Sequence, residues 1–339
     1  MPIAAPRPES WLRPVPGGLY CGPGGFFIDP TRPVDRAVVT HGHGDHARPG
    51  NRHVLATAET LAIMRARYGA DAGGSLQAAA YGEPVIVNGV SVTLVPAGHV
   101  LGSAQAVLEY RGSRVVVSGD YKRRRDPTCA AFEPQSCDVF VTEATFGLPV
   151  FRHPSDGAEI GRLLHSLRLF PERCHVVGVY ALGKCQRVIA LLREAGYDAP
   201  VYIHGALAPL CALYERLGVA LGPLLPATGA GKEGLAGKIV LAPPGALADR
   251  WSRRLPDPVA ALASGWMRVK QRAKARGIEL PLVISDHADW DELTATLRDT
   301  GAPEIWVTHG NEEALVHYAS GAGLKARALA LVGYEDEES

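Results

Sequence analysis

The stretch Thr40-His41-Gly42-His43-Gly44-Asp45-His46 decides the fold and most of the function. Three imidazoles and a carboxylate fall within six residues, and the glycines between them let the backbone turn tightly enough for the side chains to converge. Imidazole and carboxylate ligands without thiolate suit Zn²⁺, Mn²⁺ or iron, and a position left to water makes such a site catalytic. A plain His-rich surface loop is the alternative. However, Arg36-Ala37-Val38-Val39-Thr40 has the character of a buried strand, and functional sites lie in loops at strand ends.

The spacing of these ligands predicts two metal ions. If His41 and His43 face one side of the loop, Asp45 and His46 can face the other side and bind a second ion. Two-metal centres hold their ions about 3.5–4 Å apart. We therefore expect two divalent cations, either zinc or manganese, as cofactors.

Polar side chains of the ligand or acid–base type also follow other apolar runs. Three successive strand patterns end on His99, Asp120 and Glu143, and Asp29 follows the short run Phe26-Phe27-Ile28. Such a series is expected when one rim of a sheet carries the chemistry.

The middle of the chain has a different pattern. From about Leu148, strand and helix patterns alternate, which implies parallel strands with crossover helices and hence a small α/β domain. Near Leu282 the earlier pattern returns, with Ser285-Asp286-His287-Ala288-Asp289 and then Thr308-His309-Gly310. The expected organisation is a domain formed by residues 1–147 and 282–339, interrupted by an inserted domain of residues 148–281.

Composition limits the class of protein. The chain has 339 residues, 21% of them charged, without an apolar run of membrane-spanning length or an apolar N-terminal signal. We therefore expect a cytoplasmic protein that does not enter a membrane. Six cysteines occur without a C-x-x-C pair, which argues against a thiolate zinc site. The acidic end, Glu335–Ser339, is expected to be disordered.

Charge is unevenly placed along a chain whose net charge is zero. Asp249–Glu279 holds eight Lys or Arg residues against three acids. Alternating cations from Arg268 to Arg276 suit a strip that tracks the backbone of single-stranded nucleic acid.

The H-x-H-x-D-H pattern of residues 41–46 resembles the signature of the metallo-β-lactamase superfamily. The insertion, followed by the S-x-H-A-D and T-H-G motifs, is similar to that of its β-CASP nucleases. Four stretches look most like the bacterial ligase-associated DNA exonucleases: Glu143–Gly147, Tyr180–Lys184, Ser264–Met267 and Asp286–Asp289. The resemblance implies an α/β fold, a metallo-β-lactamase αββα sandwich with an inserted α/β β-CASP domain.

The resemblance also implies a ligand set. One metal ion would be bound by His41, His43 and His99, and Asp120 would bridge the two ions. The second ion would be bound by Asp45, His46 and His309.

Further roles follow from the same resemblance. His287 would lie beside the scissile phosphate as a hydrogen-bond or proton donor, and Glu143 would pair with it. Asp29 would support the loop or hydrogen-bond a ligand histidine.

Substrate contacts are expected from cations and aromatic rings. Lys122 and Arg123 directly follow Asp120, Lys184 stands where a helix begins, and Trp266 can stack on a base. For each of these, a surface or core role is the alternative.

Together these features predict a two-metal DNA exonuclease of DNA repair, with a DNA ligase as a candidate partner. An RNA-processing ribonuclease is the alternative, because a histidine at the position of His309 is typical of RNA-cleaving family members. A small-ester hydrolase would not account for the insertion or for His287. An inactive scaffold predicts eroded ligands, yet every expected ligand position is filled.

Overall fold

The computed structural model describes residues 5–329 and 331, which include neither the acidic stretch Glu335–Ser339 nor residues 1–4. The chain forms two compact units. One unit ends at Phe151 and resumes at His287, and the second comprises Arg152–Asp286. The boundaries expected after residues 147 and 281 lie a few residues before these.

The described residues form strands and α-helices in the following order along the chain: β1 (Leu12–Val15), β2 (Gly18–Cys21), β3 (Phe26–Ile28), β4 (Arg36–Val38), β5 (His53–Ala56), α1 (Ala58–Tyr68), β6 (Ser75–Ala78), β7 (Pro84–Val87), β8 (Val90–Pro96), β9 (Ala104–Tyr110), β10 (Ser113–Val117), β11 (Val139–Ala144), α2 (Asp156–Leu169), β12 (His175–Gly178), α3 (Lys184–Glu194), β13 (Val201–Ile203), α4 (Ala208–Arg216), β14 (Leu224–Pro226), α5 (Gly231–Leu235), β15 (Ile239–Ala242), β16 (Val259–Ala263), α6 (Lys270–Ala275), β17 (Leu280–Leu282), α7 (Trp290–Asp299), β18 (Glu304–Gly310), α8 (Glu312–Gly321) and β19 (Lys325–Ala328).

The first unit contains two mixed sheets. One has the order β1-β2-β3-β4-β5-β6, and the other has the order β19-β18-β11-β10-β9-β8-β7. In the second sheet, β7 to β10 pair antiparallel, whereas β10, β11, β18 and β19 pair parallel. Several strands of both sheets lead directly into the polar residues described below.

The two sheets pack face to face through alternate apolar side chains. Phe26 and Val38 of the first sheet share a buried cluster with Leu94, Val117 and other residues of the second. The outer face of the first sheet packs on α1, and the outer face of the second packs on α7 and α8. The predicted αββα sandwich is therefore confirmed.

The second unit is built on one parallel sheet with the order β14-β13-β15-β12-β16-β17. The strands β12, β15 and β16 at its centre are almost entirely buried, as expected for a parallel sheet between helices. The predicted inserted α/β domain is confirmed in fold class.

Local signals explain several element boundaries. Thr57 caps α1 by accepting a hydrogen bond from the Thr60 amide at 3.2 Å. Asn88 and Gly89 have φ angles of 48° and 83° and form the tight turn between β7 and β8 that the Asn-Gly pair predicts. Within the described residues, no helix combines the length and the apolarity needed to cross a bilayer.

Candidate metal centre

The loop that carries the first histidines follows β4 and is held tightly against α1. A Cβ atom on Gly42 would lie only 2.7 Å from Cγ2 of Ile63, so a glycine is needed for this close approach. Arg67, also on α1, donates from Nη1 to the Gly42 carbonyl at 2.9 Å. These contacts fix the backbone from which the imidazoles project.

Asp120 lies at the centre of the site. Its Oδ2 atom is 3.4 Å from Nε2 of His41, 3.3 Å from Nε2 of His46 and 3.8 Å from Nε2 of His99. Nδ1 of His43 approaches Nε2 of His99 to 2.9 Å. Segments at the ends of different strands thus converge on one carboxylate.

The potential ligand atoms form groups that share Asp120. Within each group they lie within 4.8 Å of one another. The first group has four members, the second three and the third three: His41, His43, His99 and Asp120; His46, Asp120 and His309; Asp120, Glu143 and His287. A shared carboxylate between two histidine groups is the arrangement that a bridged pair of cations requires.

Asp45 lies beside the second group. Its Oδ2 atom is 3.5 Å from Nε2 of His46. The structure therefore brings Asp45 to the same imidazole nitrogen that faces Asp120.

The hydrogen bonds of His41 indicate whether a cation fits beside its Nε2 atom. The Thr40 hydroxyl donates to Oδ2 of Asp29 at 2.6 Å and lies 3.1 Å from Nδ1 of His41, so it can accept the Nδ1 proton. The proton-free Nε2 atom of His41 is then buried and makes no hydrogen bond within the described residues. The Nε2 lone pair of His41 and the Asp120 carboxylate face each other across 3.4 Å, and both are electron-rich. A metal ion would supply the positive charge that this pair of groups needs.

His46 is oriented in a similar way by Asp29. Nδ1 of His46 lies 2.8 Å from Oδ2 of Asp29, whose Oδ1 accepts from the Thr40 amide at 2.8 Å. Asp29 holds the Nδ1 proton, so Nε2 of His46, which faces Asp120 and Asp45, is the nitrogen that would bind a metal ion once its own proton is displaced. Asp29 thus contacts both the loop backbone and a candidate ligand.

Burial keeps part of the site uncharged and part of it charged. Desolvation lowers the pKa of His41 well below its usual value and, with the nearby His46, lowers the pKa of His309 to about 3. Burial would raise the pKa of Asp120, but His46 holds it well below its usual range. Burial opposes the charge on His46, but Asp120 and Asp45 raise the pKa of His46 well above its usual value, so His46 is the charged imidazole of this group. A metal ion would take the place of that proton, because an imidazole binds metal in its neutral form.

His287 and Glu143 form a buried pair beside these groups. Nδ1 of His287 lies 3.0 Å from Oε2 and 3.2 Å from Oε1 of Glu143, which also accepts from the Tyr121 amide at 2.8 Å. Burial raises the pKa of Glu143, against the opposing effect of His287. The ring centroid of His287 is 4.6 Å from that of His99, so the pair lies at the edge of the first group.

The cations that follow Asp120 have acidic partners inside the first unit. Lys122 is 1% exposed, donates to the His287 carbonyl at 3.3 Å and lies 3.6 Å from Glu292. Arg123 pairs with Asp299 at 2.6 Å. The structure therefore gives Lys122 a structural position, and we no longer expect it to reach a substrate.

Lys184 and Trp266 lie in the second unit. The Lys184 ammonium is fully buried and forms an ion pair with Asp286, so its charge is neutralised by the protein itself. Trp266 is partly exposed, and the Arg272 guanidinium lies 4.1 Å from the centre of its ring. The predicted phosphate contact of Lys184 does not fit this burial.

Three supporting residues are absent from the set that the sequence patterns predict. Thr40 connects Asp29 with His41, Arg67 holds the loop, and Glu292 accepts from the Arg123 and Arg124 amides at 3.0 and 2.7 Å. Glu292 had a detectable signal, because Asp289 followed three residues later by Glu292 is a capping-box pattern, and the box forms. The hydrogen bond of Arg67 to a loop carbonyl has no sequence signature.

The class of protein follows from this site and fold together with a family comparison. Residues 29–173, which are less than half of the chain, match the metallo-β-lactamase superfamily, so this part of the chain is similar to a metallo-β-lactamase domain. The matched segment contains the 41–46 loop, His99, Asp120 and Glu143.

Particular relatives extend the comparison. A probable DNA ligase of Opitutus terrae is 29% identical over 92% of this chain, and the aligned region is 30% of that protein. Endoribonuclease YSH1 of Saccharomyces cerevisiae is 33% identical over 39% of this chain and 18% of its own length. The chain thus spans less than a third of either relative. The resemblance to β-CASP nucleases is confirmed by these matches.

A solved structure supports the fold alone. A protein of unknown function from Enterococcus faecalis superposes with a TM-score of 0.59 at 12% identity, covering 88% of this chain and 80% of that protein.

Proposed function

We propose that this chain is a two-metal-dependent nuclease that hydrolyses phosphodiester bonds, acting as a DNA exonuclease in repair. The observation that carries the proposal is the pair of histidine groups that share the Asp120 carboxylate. Phosphodiester hydrolysis makes full use of two adjacent cations, because such a pair stabilises both the attacking and the leaving oxygen of an in-line displacement.

Zinc or manganese is the proposed cofactor. One ion would be held by His41, His43 and His99, and the other by His46, His309 and the nearby Asp45, with Asp120 shared. Two such ions, when bound, lower the pKa of water and neutralise charge on a phosphodiester.

The protein's own contribution to proton transfer would come from His287. Its Nδ1 faces Glu143 at 3.0 Å, so the nitrogen available to the substrate is Nε2. A nearby carboxylate favours the imidazolium form, which can donate to a phosphate oxygen or to the departing oxygen. Glu143 would keep the ring in this orientation through both of its oxygens.

A difference in identity favours DNA over RNA. The relative named a DNA ligase is 29% identical over 92% of this chain. Cleavage and polyadenylation specificity factor subunit 3-I of Arabidopsis thaliana is 24% identical over 89% of this chain, so both alignments include the inserted unit. Because the identity is higher for the relative named a DNA ligase, we propose DNA as the substrate and a DNA ligase as a partner. The endoribonuclease similarity keeps RNA as the second candidate substrate.

Side-by-side degradation tests the proposal. DNA and RNA of one sequence, each labelled at the 5′ or the 3′ end, are incubated with the purified chain and with manganese or zinc. Progressive shortening of DNA is the expected result, and the label that is released first gives the polarity. Cleavage of RNA alone would overturn the DNA assignment, and hydrolysis of esters or lactams without any nuclease activity would overturn the whole proposal.

A further inference from the structure

A basic face on the second unit has no role in the site described above. It consists of five exposed cations on and around α6, one at every second position: Arg268, Lys270, Arg272, Lys274 and Arg276. No acidic residue occurs between Met267 and Ile278. The only buried residue of α6 is Ala273, so this helix is held to the unit by a small apolar contact and presents cations elsewhere.

The acids that flank this face are already paired elsewhere. Arg173 binds Glu279 with both terminal nitrogens, at 2.6 and 2.9 Å, and its Nε lies 3.1 Å from Asp257. The side-chain hydrogen bond from Arg173 lowers the pKa of Glu279, which keeps that carboxylate ionised and occupied. Two of the three acids in Asp249–Glu279 thus pair with an arginine from outside that segment.

The concentration of positive charge destabilises α6 itself. Lys270 and Lys274 are four residues apart on α6, where side chains are neighbours and like charges destabilise a helix. The Arg272 guanidinium stacks on Trp266 at 4.1 Å, which holds a further positive charge of the same helix in place. Repulsion of this kind is relieved when a polyanion lies across the cations.

We propose that this basic face binds the sugar–phosphate backbone of the single-stranded DNA substrate. The proposal rests on the proposed nuclease function and adds to it a contact surface outside the metal centre. A dense group of exposed cations with no acid among them complements the charge of a phosphate backbone, and arginine held on an aromatic ring adds little conformational cost on binding.

The test compares two charge-matched double variants. Lys270→Gln with Lys274→Gln removes two cations from the basic face and also removes the repulsion within α6, so the fold should be retained. Arg168→Gln with Arg216→Gln removes two exposed cations from α2 and α4 as the control. Binding to a fluorescent single-stranded DNA of about 20 nucleotides is measured by anisotropy at several salt concentrations, with a chelator present to prevent cleavage.

Loss of two phosphate contacts should lower the slope of log affinity against log salt by about 1.4, and affinity near 0.1 M salt on the order of tenfold. The control variant should match the unmodified protein. Equal slopes for both variants, or no binding of single-stranded DNA by the unmodified protein, would contradict the proposal that the basic face binds DNA. A slope difference seen with RNA but not with DNA would also overturn the proposal.

Activity assays on the unmodified protein separate the two proposals. If the unmodified protein degrades DNA and the two double variants have equal salt slopes, the nuclease function is supported and DNA binding by the basic face is rejected. If the Lys270/Lys274 variant binds DNA more weakly but the unmodified protein degrades no DNA, binding by the basic face is supported and the nuclease function is rejected.

Discussion

Nδ1 of His46 lies 2.8 Å from Oδ2 of Asp29, a residue that precedes it by 17 positions and directly follows β3. The same carboxylate accepts from both the amide and the hydroxyl of Thr40, at 2.8 and 2.6 Å. One buried acid therefore sets the direction of one candidate ligand and the backbone that carries the others. Asp29 has a φ of 43°, a left-handed conformation that Asp and Asn tolerate better than most residues.

Asp29→Asn is expected to weaken metal binding without unfolding the protein. The amide keeps the size and the backbone conformation, but it loses the charge that holds the Nδ1 proton of His46. Loss of such a supporting partner costs about 10–100-fold in metal affinity. Titration of the metal-free variant should show this loss, and excess metal should restore activity. Unchanged affinity would mean that Asp29 supports only the loop.

Asp45→Ala and His46→Ala should each abolish nuclease activity while leaving the fold intact, because both side chains belong to the proposed second metal position. Metal analysis of the purified variants should give less bound metal than in the unmodified protein. Thermal unfolding provides the check on folding. A folded variant with full activity would contradict the assignment of that residue.

His287→Ala should reduce turnover by about 10²–10⁴-fold with metal content unchanged, because a proton donor is lost and no ligand is. The matched control is His165→Ala, which removes an exposed histidine of α2. Metal content separates the two roles open to His287. If metal is lost together with activity, His287 is a ligand rather than a donor.

His175 should make the second unit less stable in acid. It begins β12, its Nε2 lies 2.9 Å from the Ser166 hydroxyl, and its Nδ1 has no hydrogen-bond partner among the described residues. Burial lowers its pKa from the usual 6.5. Below that value the unfolded chain binds a proton that the folded chain does not, so stability falls as pH falls.

Thermal unfolding between about pH 7.5 and pH 5.5 measures this effect. The unmodified protein should lose more stability over this range than His175→Gln, and His165→Gln should behave like the unmodified protein. Parallel curves for the unmodified protein and His175→Gln would rule out a contribution from His175.

The central features of the site could be predicted because they depend on short-range patterns. A histidine or an aspartate directly after an apolar run predicts a side chain at a strand end, and the ends of β8 and β10 do lead to His99 and Asp120. Alternating strand and helix patterns predicted the parallel sheet of the second unit in the same way. The metal loop was recognisable because its ligands are contiguous.

The ion pairs of the charged residues could not be predicted in this way, because their partners are distant in sequence. Lys122 meets Glu292, and Lys184 meets Asp286, across more than a hundred residues. A run of cations therefore looks like a substrate contact until the fold brings acids to it. The first two strands were also missed, because Pro14 in β1 and the glycines at 17 and 18 resemble a loop.

The pairing of β11 with β18 in the second sheet also has a consequence for the order of folding. β11 pairs with β18 in a register that joins Val139 to Glu304, and the Trp290 amide donates to the Phe151 carbonyl at 3.0 Å. The points where the chain leaves and re-enters the first unit are thus side by side. If the inserted segment collapses first, joining these strands costs the entropy of a short loop rather than of a very long one. Early folding of the insertion would therefore speed the assembly of the sheet that holds Glu143 and His309.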